Sequence, residues 1–125
     1  MPERRPCEFF LVRYVPDPIK EEFVNIGLVL VCGAIQSDAL VEVRFSCNWK
    51  RVLRLDPHAD IEMLAALAKE IRERLAEPGA DRERMLSLMR DSFSNTVQVS
   101  PPKACLAESP RGEADRLAQM YLENS

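Results

Sequence analysis

Apolar and polar residues alternate through the first third of the chain in a pattern that predicts consecutive β-strands. Residues 8–15 are apolar on both faces, which is typical of a central or covered strand. In residues 23–32 the even positions, from Val24 to Cys32, form an apolar face that we expect to be unbroken. Residues 40–47 alternate cleanly between apolar and charged side chains. Because the links between these segments are short, they predict an antiparallel meander.

Further along the chain, apolar residues recur at spacings of three and four, which predicts helices. Residues 48–55 predict a short helical turn or a strand end, and the spacing of Trp49, Val52 and Leu53 favours the helix. Asp56-Pro57 should open the next helix, since an aspartate can cap early amides and proline fits the first turn, and Pro78-Gly79 should end it. We expect Asp81 to cap the helix that follows.

The last part of the chain predicts a strand and a helix. Residues 96–100 alternate like a short strand, which Pro101-Pro102 should end, and Ser109-Pro110 should open a final helix. This order predicts one domain over residues 1–125 of the α+β class. Its sheet should be mainly antiparallel with about four strands, and three helices should pack over one face.

Composition agrees with a globular domain and disfavours several function classes. The chain has 125 residues, of which 46% are hydrophobic and 30% charged. A net charge of −3 disfavours general attraction to nucleic acid. We find neither the apolar run of a secretion signal nor one long enough to span a membrane, so we expect a cytoplasmic protein.

Metal binding and catalysis lack the usual residues. The four cysteines, Cys7, Cys32, Cys47 and Cys105, are widely spaced and are expected to be reduced, buried thiols. His58 is the sole histidine and no Cys-x-x-Cys spacing occurs, so we expect no metal site and no cofactor. A nucleophile would need a base within hydrogen-bond reach, and the sequence assigns no catalytic residue. An enzyme is therefore the less expected class.

Polar interruptions mark the candidate binding residues. Asp91 to Cys105 is rich in small hydroxyl and amide side chains, which are poor helix and core material. Asn25 breaks an apolar strand, and Ser92, Ser94, Asn95 and Gln98 are its expected hydrogen-bond partners. A basic cluster surrounds Trp49, which either anchors the core or offers a stacking surface. The candidate ligand- or partner-binding residues are Glu22, Asn25, Arg44, Trp49, Arg51, Asp91, Ser94, Asn95, Gln98, Ser100 and Lys103.

Three long segments resemble a known bacterial family. These segments are RYVPDPIKEEFVNIGLVL at residues 13–30, RFSCNWKRVLRLDPHAD at 44–60 and DSFSNTVQVSPPKACL at 91–106. Together they resemble the family catalogued as domain of unknown function 3037. The resemblance brings no established activity. It implies a stand-alone cytoplasmic protein with an accessory or regulatory role beside a kinase-like partner.

The leading hypothesis is a small non-enzymatic protein that binds a larger protein partner, with a kinase-like neighbour as the candidate. One alternative is a small enzyme or ligand-binding protein that acts on an anionic small molecule. Arg44 and Lys103 would then hold the anion, and Asp91 or Glu22 would serve as the base. Another alternative is nucleic-acid binding through Trp49 and its neighbouring cations.

Overall fold

The computed structural model describes residues 4–33, 39–46, 48–91 and 96–123. In chain order the strands and helices are β1 (Arg5–Asp17), β2 (Glu22–Cys32), β3 (Leu40–Phe45), α1 (Lys50–Leu55), α2 (Ile61–Leu75), α3 (Ala80–Arg90), β4 (Val97–Val99), β5 (Lys103–Ala107) and α4 (Pro110–Ala118). A π-helical turn, Gln119–Glu123, extends α4. No described helix is both long enough and apolar enough to cross a membrane.

The strands form one antiparallel sheet in which β1 is central. Its order is β3-β2-β1, and the other edge of β1 is shared by β4 and β5. β4 pairs with Val12 to Tyr14, whereas β5 pairs with Arg5 to Phe9. The predicted α+β class with a mainly antiparallel sheet is confirmed. β5 was not predicted, because Pro101-Pro102 was expected to take the chain out of the sheet.

Both faces of the sheet carry a hydrophobic core. On one face, Phe10, Val12 and Tyr14 of β1 pack with buried residues of α1, α2 and α3. On the other face, Phe9 and Leu11 pack with buried residues of α4. The structure thus differs from the expected placement of the helices, because α4 lies on the face opposite α2 and α3. A central strand that is apolar on both sides needs cover on both sides.

An irregularity in β2 changes which side chains face which core. Val12 lies opposite Gly27 and Arg13 lies opposite Asn25, so Ile26 is an extra residue in β2. Val24 and Ile26 therefore lie in the α1–α3 core together with the odd-numbered residues Val29 and Val31. The even-numbered residues from Leu28 to Cys32 lie under α4 instead. The predicted unbroken face of even positions in this strand is wrong, because the bulge shifts its alternation by one residue.

Gly27 lies beside the bulge and directly opposite Phe45 of β3. A Cβ atom at Gly27 would overlap the Phe45 ring, lying 2.8 Å from its Cδ1 and closer still to Cε1. The aromatic ring therefore covers the glycine backbone. A glycine is required here by this close approach between strands.

The helix caps confirm one of the predicted signals and correct two others. Ser109 caps α4 as expected, since its side chain accepts a hydrogen bond from the Gly112 amide. α2 begins at Ile61 under the cap of Asp60, whereas Asp56 is the C-cap of α1. Asp56 is not free to cap α2, because its carboxylate is bonded elsewhere. Asp81 lies inside the first turn of α3, whose N-cap is Gly79.

Arg82 joins the α2–α3 hairpin to the segment that precedes β3. Its side chain is buried, with 5% of its surface exposed. The guanidinium donates to the carbonyl oxygens of Ala39 at 2.7 Å, Leu75 at 3.1 Å and Ala76 at 3.4 Å. Burial lowers the pKa of Arg82. Two of these carbonyls belong to the C-terminal turn of α2, which a cation favours through the helix dipole.

The cysteines differ from the predicted set of reduced thiols. Cys7 and Cys32 are cross-strand neighbours on β1 and β2 and form a disulfide. The prediction is therefore wrong for this pair, because strand register brings together residues that are far apart in sequence. Cys105 is a free, half-buried thiol. Cys47 lies outside the described residues.

Substitution of Gly27 by alanine should destabilise the protein by about 1–3 kcal/mol, because the new methyl group must displace the Phe45 ring. Gly112→Ala is the matched control, since its Cβ would lie 3.4 Å from Ser109 Oγ, an ordinary contact. In α4 this change should be neutral or stabilising by up to about 1 kcal/mol. Urea unfolding measures both changes. Equal effects of the two substitutions would contradict the role assigned to Phe45.

Candidate functional site

The polar segment around Pro101-Pro102 interrupts the ladder beside β1. The two prolines separate β4 from β5, so between these strands the ladder along β1 must be completed by other groups. Ser100 does this twice: its amide donates to Leu11 O at 2.9 Å, and its Oγ accepts from Leu11 N at 2.8 Å. Ser100 is 5% exposed. The hydroxyl thus takes the place of a missing backbone acceptor.

An apolar cleft lies next to this interruption, and we call it the β1 cleft. Its volume is about 990 Å³. Apolar side chains and prolines supply much of its lining, including Phe10, Val31, Val99, Pro101, Pro102 and Ala104. Since Phe10, Val31 and Val99 belong to the α1–α3 core, the cleft lies on that face of the sheet.

Charged groups at the β1 cleft are few and are paired with each other. Arg90 at the end of α3 lies with its Nη2 3.4 Å from Glu8 Oε2 on β1. Both side chains are substantially exposed. The pair therefore bridges helix and sheet at the cleft without burying a charge, and such a pair contributes little to stability.

Several predicted residues meet on the opposite face, at the end of α4. Asn25 accepts from Arg13 Nε at 3.3 Å and donates to Tyr121 O at 3.5 Å. Lys103 Nζ lies 5.5 Å from the centre of the Tyr121 ring. Gln98 pairs with Arg13 in the β1–β4 ladder. We call Arg13, Asn25, Gln98, Lys103 and Tyr121 the α4-end cluster.

Three of the four expected partners of Asn25, namely Ser92, Ser94 and Asn95, lie outside the described residues. The structure gives Asn25 two other partners, Arg13 and the Tyr121 carbonyl. These bonds leave the amide satisfied within the fold, which supports a structural contribution of Asn25.

Two arginines of the basic cluster near Trp49 are engaged within the protein. Trp49 is half-buried and packs against the α1–α3 core. Arg51 Nη1 donates to Leu122 O at 2.9 Å, and Arg44 Nε donates to Asp115 Oδ1 at 2.9 Å. These contacts favour the interpretation of Trp49 as a core anchor over that of a base-stacking surface.

The other predicted residues are dispersed. Glu22 is exposed at the start of β2, opposite Asp17. Asp91 is exposed at the C-cap of α3, on the face opposite α4. The groups proposed to hold an anion and those proposed as its base therefore do not line a common cavity. Among the predicted site residues that the structure describes, Ser100 is the one that lines the β1 cleft.

Tyr14 and Asp56 form the pair with the clearest electrostatic coupling. Tyr14 Oη donates to Asp56 Oδ2 at 2.6 Å. Burial and this hydrogen bond raise the pKa of Tyr14 to about 12. The same bond, with a second one from the His58 amide, lowers the pKa of Asp56. Both pKa values move away from neutrality, which is the opposite of what general acid–base catalysis requires.

Sequence reasoning missed Arg13 and the apolar residues of the β1 cleft. Arg13 had a usable signal, because it is a single charge within an otherwise apolar strand segment. Burial lowers the pKa of Arg13, and its guanidinium lies 4.2 Å from the centre of the Phe23 ring. The cleft residues had no such signal, since apolar side chains near a strand end have the same pattern as core.

Comparison with known proteins assigns a family. The family described as "Protein of unknown function (DUF3037)" matches residues 9–122. The chain belongs to this family. The match includes β1 from Phe9 onward, both sets of helices and most of the β1 cleft. Searches of curated proteins and of solved structures returned no match.

Removal of the Ser100 hydroxyl should destabilise this DUF3037 protein by about 1–3 kcal/mol, because Leu11 N would lose its buried acceptor. Ser87 on the exposed side of α3 provides the control, and Ser87→Ala should change stability by less than about 0.5 kcal/mol. Thermal or urea unfolding of both variants measures the difference. A Ser100→Ala variant as stable as the control would refute the assigned acceptor role.

The stabilisation by Tyr14 should vanish at both extremes of pH. Because folding raises the Tyr14 pKa, its contribution is complete below the ordinary value of 10.0 and is lost as pH rises through about 12. Because folding lowers the Asp56 pKa, the contribution of the Asp56 carboxylate to stability is complete above its ordinary pKa of 3.8. This contribution is lost as pH falls below that value. Unfolding free energies of wild type and Tyr14→Phe, measured across pH, should therefore differ most between these limits.

The control for this pH dependence is a double-mutant cycle. Tyr14→Phe should cost much less in the Asp56→Asn background, because the charged acceptor is already absent. A difference between wild type and Tyr14→Phe that stays constant from acid to alkaline pH would contradict the assignment.

Proposed function

We propose that the protein is a small non-enzymatic accessory protein that binds a segment of a partner protein in the β1 cleft. The observation that carries this proposal is the lining of the cleft, which is apolar over much of its extent and bears the Glu8–Arg90 pair. Its volume of about 990 Å³ is at the upper end of what small-molecule pockets reach. Such a surface suits the apolar side chains of a peptide segment.

The polar groups around the cleft are poorly suited to chemistry. The Ser100 hydroxyl is buried and accepts from a backbone amide, so it is held by the fold rather than by a general base. Outside the cleft, the Tyr14–Asp56 pair has pKa values displaced from neutrality. These features support binding over catalysis.

The proline residues support recognition of a protein segment. Pro6, Pro101 and Pro102 line the cleft and hold their backbone in fixed conformations. A preorganised apolar surface loses little entropy when a partner binds. We propose a kinase-like bacterial neighbour as the partner and the cytoplasm as the location, in keeping with an accessory or regulatory role.

A second candidate function rests on the α4-end cluster. Arg13 and Lys103 bring positive charge to a surface that also carries the amides of Asn25 and Gln98, which favours the alternative of an anionic small-molecule ligand. The two candidate surfaces lie on opposite faces of the sheet. Two adjacent residues of β5 belong to different surfaces: Ala104 lines the cleft, whereas Lys103 lies over the Tyr121 ring.

Ala104→Arg should weaken binding of the kinase-like partner at least about tenfold, because it puts a large charged side chain into the apolar cleft. Ala104 is exposed, so the fold should tolerate the change. Titration calorimetry or size-exclusion chromatography of the mixed proteins gives the affinity.

Two control variants make this binding test specific. Ala66→Arg changes an exposed alanine of α2 in the same way and should bind as wild type does. Lys103→Ala, on the other face of β5, should also bind normally. Loss of partner binding in Lys103→Ala but not in Ala104→Arg would contradict the cleft as the site. Absence of any complex with wild-type protein at micromolar concentration would contradict this choice of partner.

A further inference from the structure

Three of the chain's four cysteines lie side by side across the sheet. Cys7 on β1 is the middle one. Its neighbour on β2 is Cys32, to which it is bonded, and its neighbour on β5 is Cys105. We call Cys32, Cys7 and Cys105 the cysteine row.

All members of the cysteine row lie on the α4 face of the sheet. Cys7 and Cys32 are buried in the core beneath α4, with 4% and 3% of their surfaces exposed. Cys105 is half-buried and packs against the same core. Their side chains are therefore on one side of the sheet, as a disulfide between either neighbouring pair requires.

The strand register places Cys7 directly opposite both of its neighbours. The Gly33 amide donates to Pro6 O at 3.3 Å, which makes Cys7 and Cys32 a pair without mutual backbone hydrogen bonds. The backbone of Cys7 then points toward β5, so Cys7 and Cys105 are a hydrogen-bonded pair, a type of pair in which Cα atoms are typically about 5.5 Å apart. Disulfides most often join Cα atoms about 5.5–6 Å apart.

We propose that the cysteine row is an internal thiol–disulfide exchange centre in which one disulfide moves between Cys7–Cys32 and Cys7–Cys105. The Cys105 thiolate attacks Cys7 Sγ, the Cys7–Cys32 bond breaks, and Cys32 leaves as a thiolate. The proton that Cys105 releases to solvent is balanced by the one that Cys32 takes up. No external oxidant or reductant is consumed, because one disulfide and one thiol are present before and after.

Cys7 is the sulfur that Cys105 attacks because Cys32 lies one strand farther away. Neighbouring strands are about 4.8 Å apart, so Cys32 is separated from Cys105 by about twice that distance. The surroundings of Cys105 make the exchange slow. Burial and the Glu113 carboxylate raise the pKa of the Cys105 thiol, while Arg116, which binds Glu113, acts in the opposite direction. Uncatalysed rearrangement of this kind takes minutes to hours.

Movement of the bond changes which strands are covalently tied. The Cys7–Cys32 bond joins β1 to β2, whereas the Cys7–Cys105 bond would join β1 to β5. β5 follows directly after Pro101-Pro102, and its pairing with β1 is separated from that of β4. The second bond would therefore anchor the segment that resumes the ladder after the prolines.

Disulfide mapping of the full chain tests the exchange. A Cys47→Ser background removes the remaining thiol. The oxidised protein is incubated in mildly alkaline buffer, quenched with acid, alkylated, digested and analysed by mass spectrometry. We expect the Cys7–Cys32 peptide at first and a Cys7–Cys105 peptide that increases over hours. Cys105→Ser in the same background should lose the second peptide completely and keep the first.

A second variant tests the bonding geometry directly. In Cys32→Ser, mild oxidation should produce a Cys7–Cys105 disulfide in protein that still unfolds cooperatively. A folded Cys32→Ser protein that forms no such bond would overturn the proposal. If this variant does not fold, the time course in the Cys47→Ser background decides alone: persistence of Cys7–Cys32 as the sole linkage, or absence of any disulfide after oxidation, would overturn it.

Discussion

Strand β1 must satisfy backbone hydrogen bonds along both of its edges while burying side chains on both of its faces, and this requirement organises the structure. β2 satisfies one edge along nearly the whole strand. The other edge is shared between β4 and β5, and Ser100 completes the ladder where the two prolines cannot. The apolar faces require two layers of helices, which α4 and the α1–α3 group provide.

Much of this architecture could be predicted because it follows from local periodicity. The alternation in β3, the helical spacing of α2 and the Ser109 cap of α4 are each contained in a few consecutive residues. The bulge at Ile26 could not be predicted, because apolar residues on both sides of it hide the change of face. Asp60 rather than Asp56 caps α2 because the Asp56 carboxylate is hydrogen-bonded to Tyr14. Tyr14 lies 42 residues before Asp56, so local sequence does not reveal this contact.

The candidate site was harder to predict than the fold. Searching for polar interruptions located Asn25, Gln98 and Lys103, which the structure brings to the end of α4. It did not locate the β1 cleft, whose lining is largely apolar and therefore has the sequence pattern of core. The proximity of Cys7, Cys32 and Cys105 depends on strand register, which the spacing of cysteines in sequence does not encode.

The bulge in β2 also has a consequence for how the chain finds its native strand pairing. Both faces of β2 are apolar, so a slip by one residue would exchange one set of aliphatic side chains for another, and hydrophobicity alone would hardly distinguish the two alignments. Two positions with little hydrophobic character, Gly27 and Asn25, distinguish the native alignment of the strand from the slipped one. The Phe45 ring fits opposite Gly27 because no Cβ atom is there, and Asn25 in this alignment accepts a hydrogen bond from Arg13. Folding accuracy in the most hydrophobic part of this protein is thus set by a glycine and an amide.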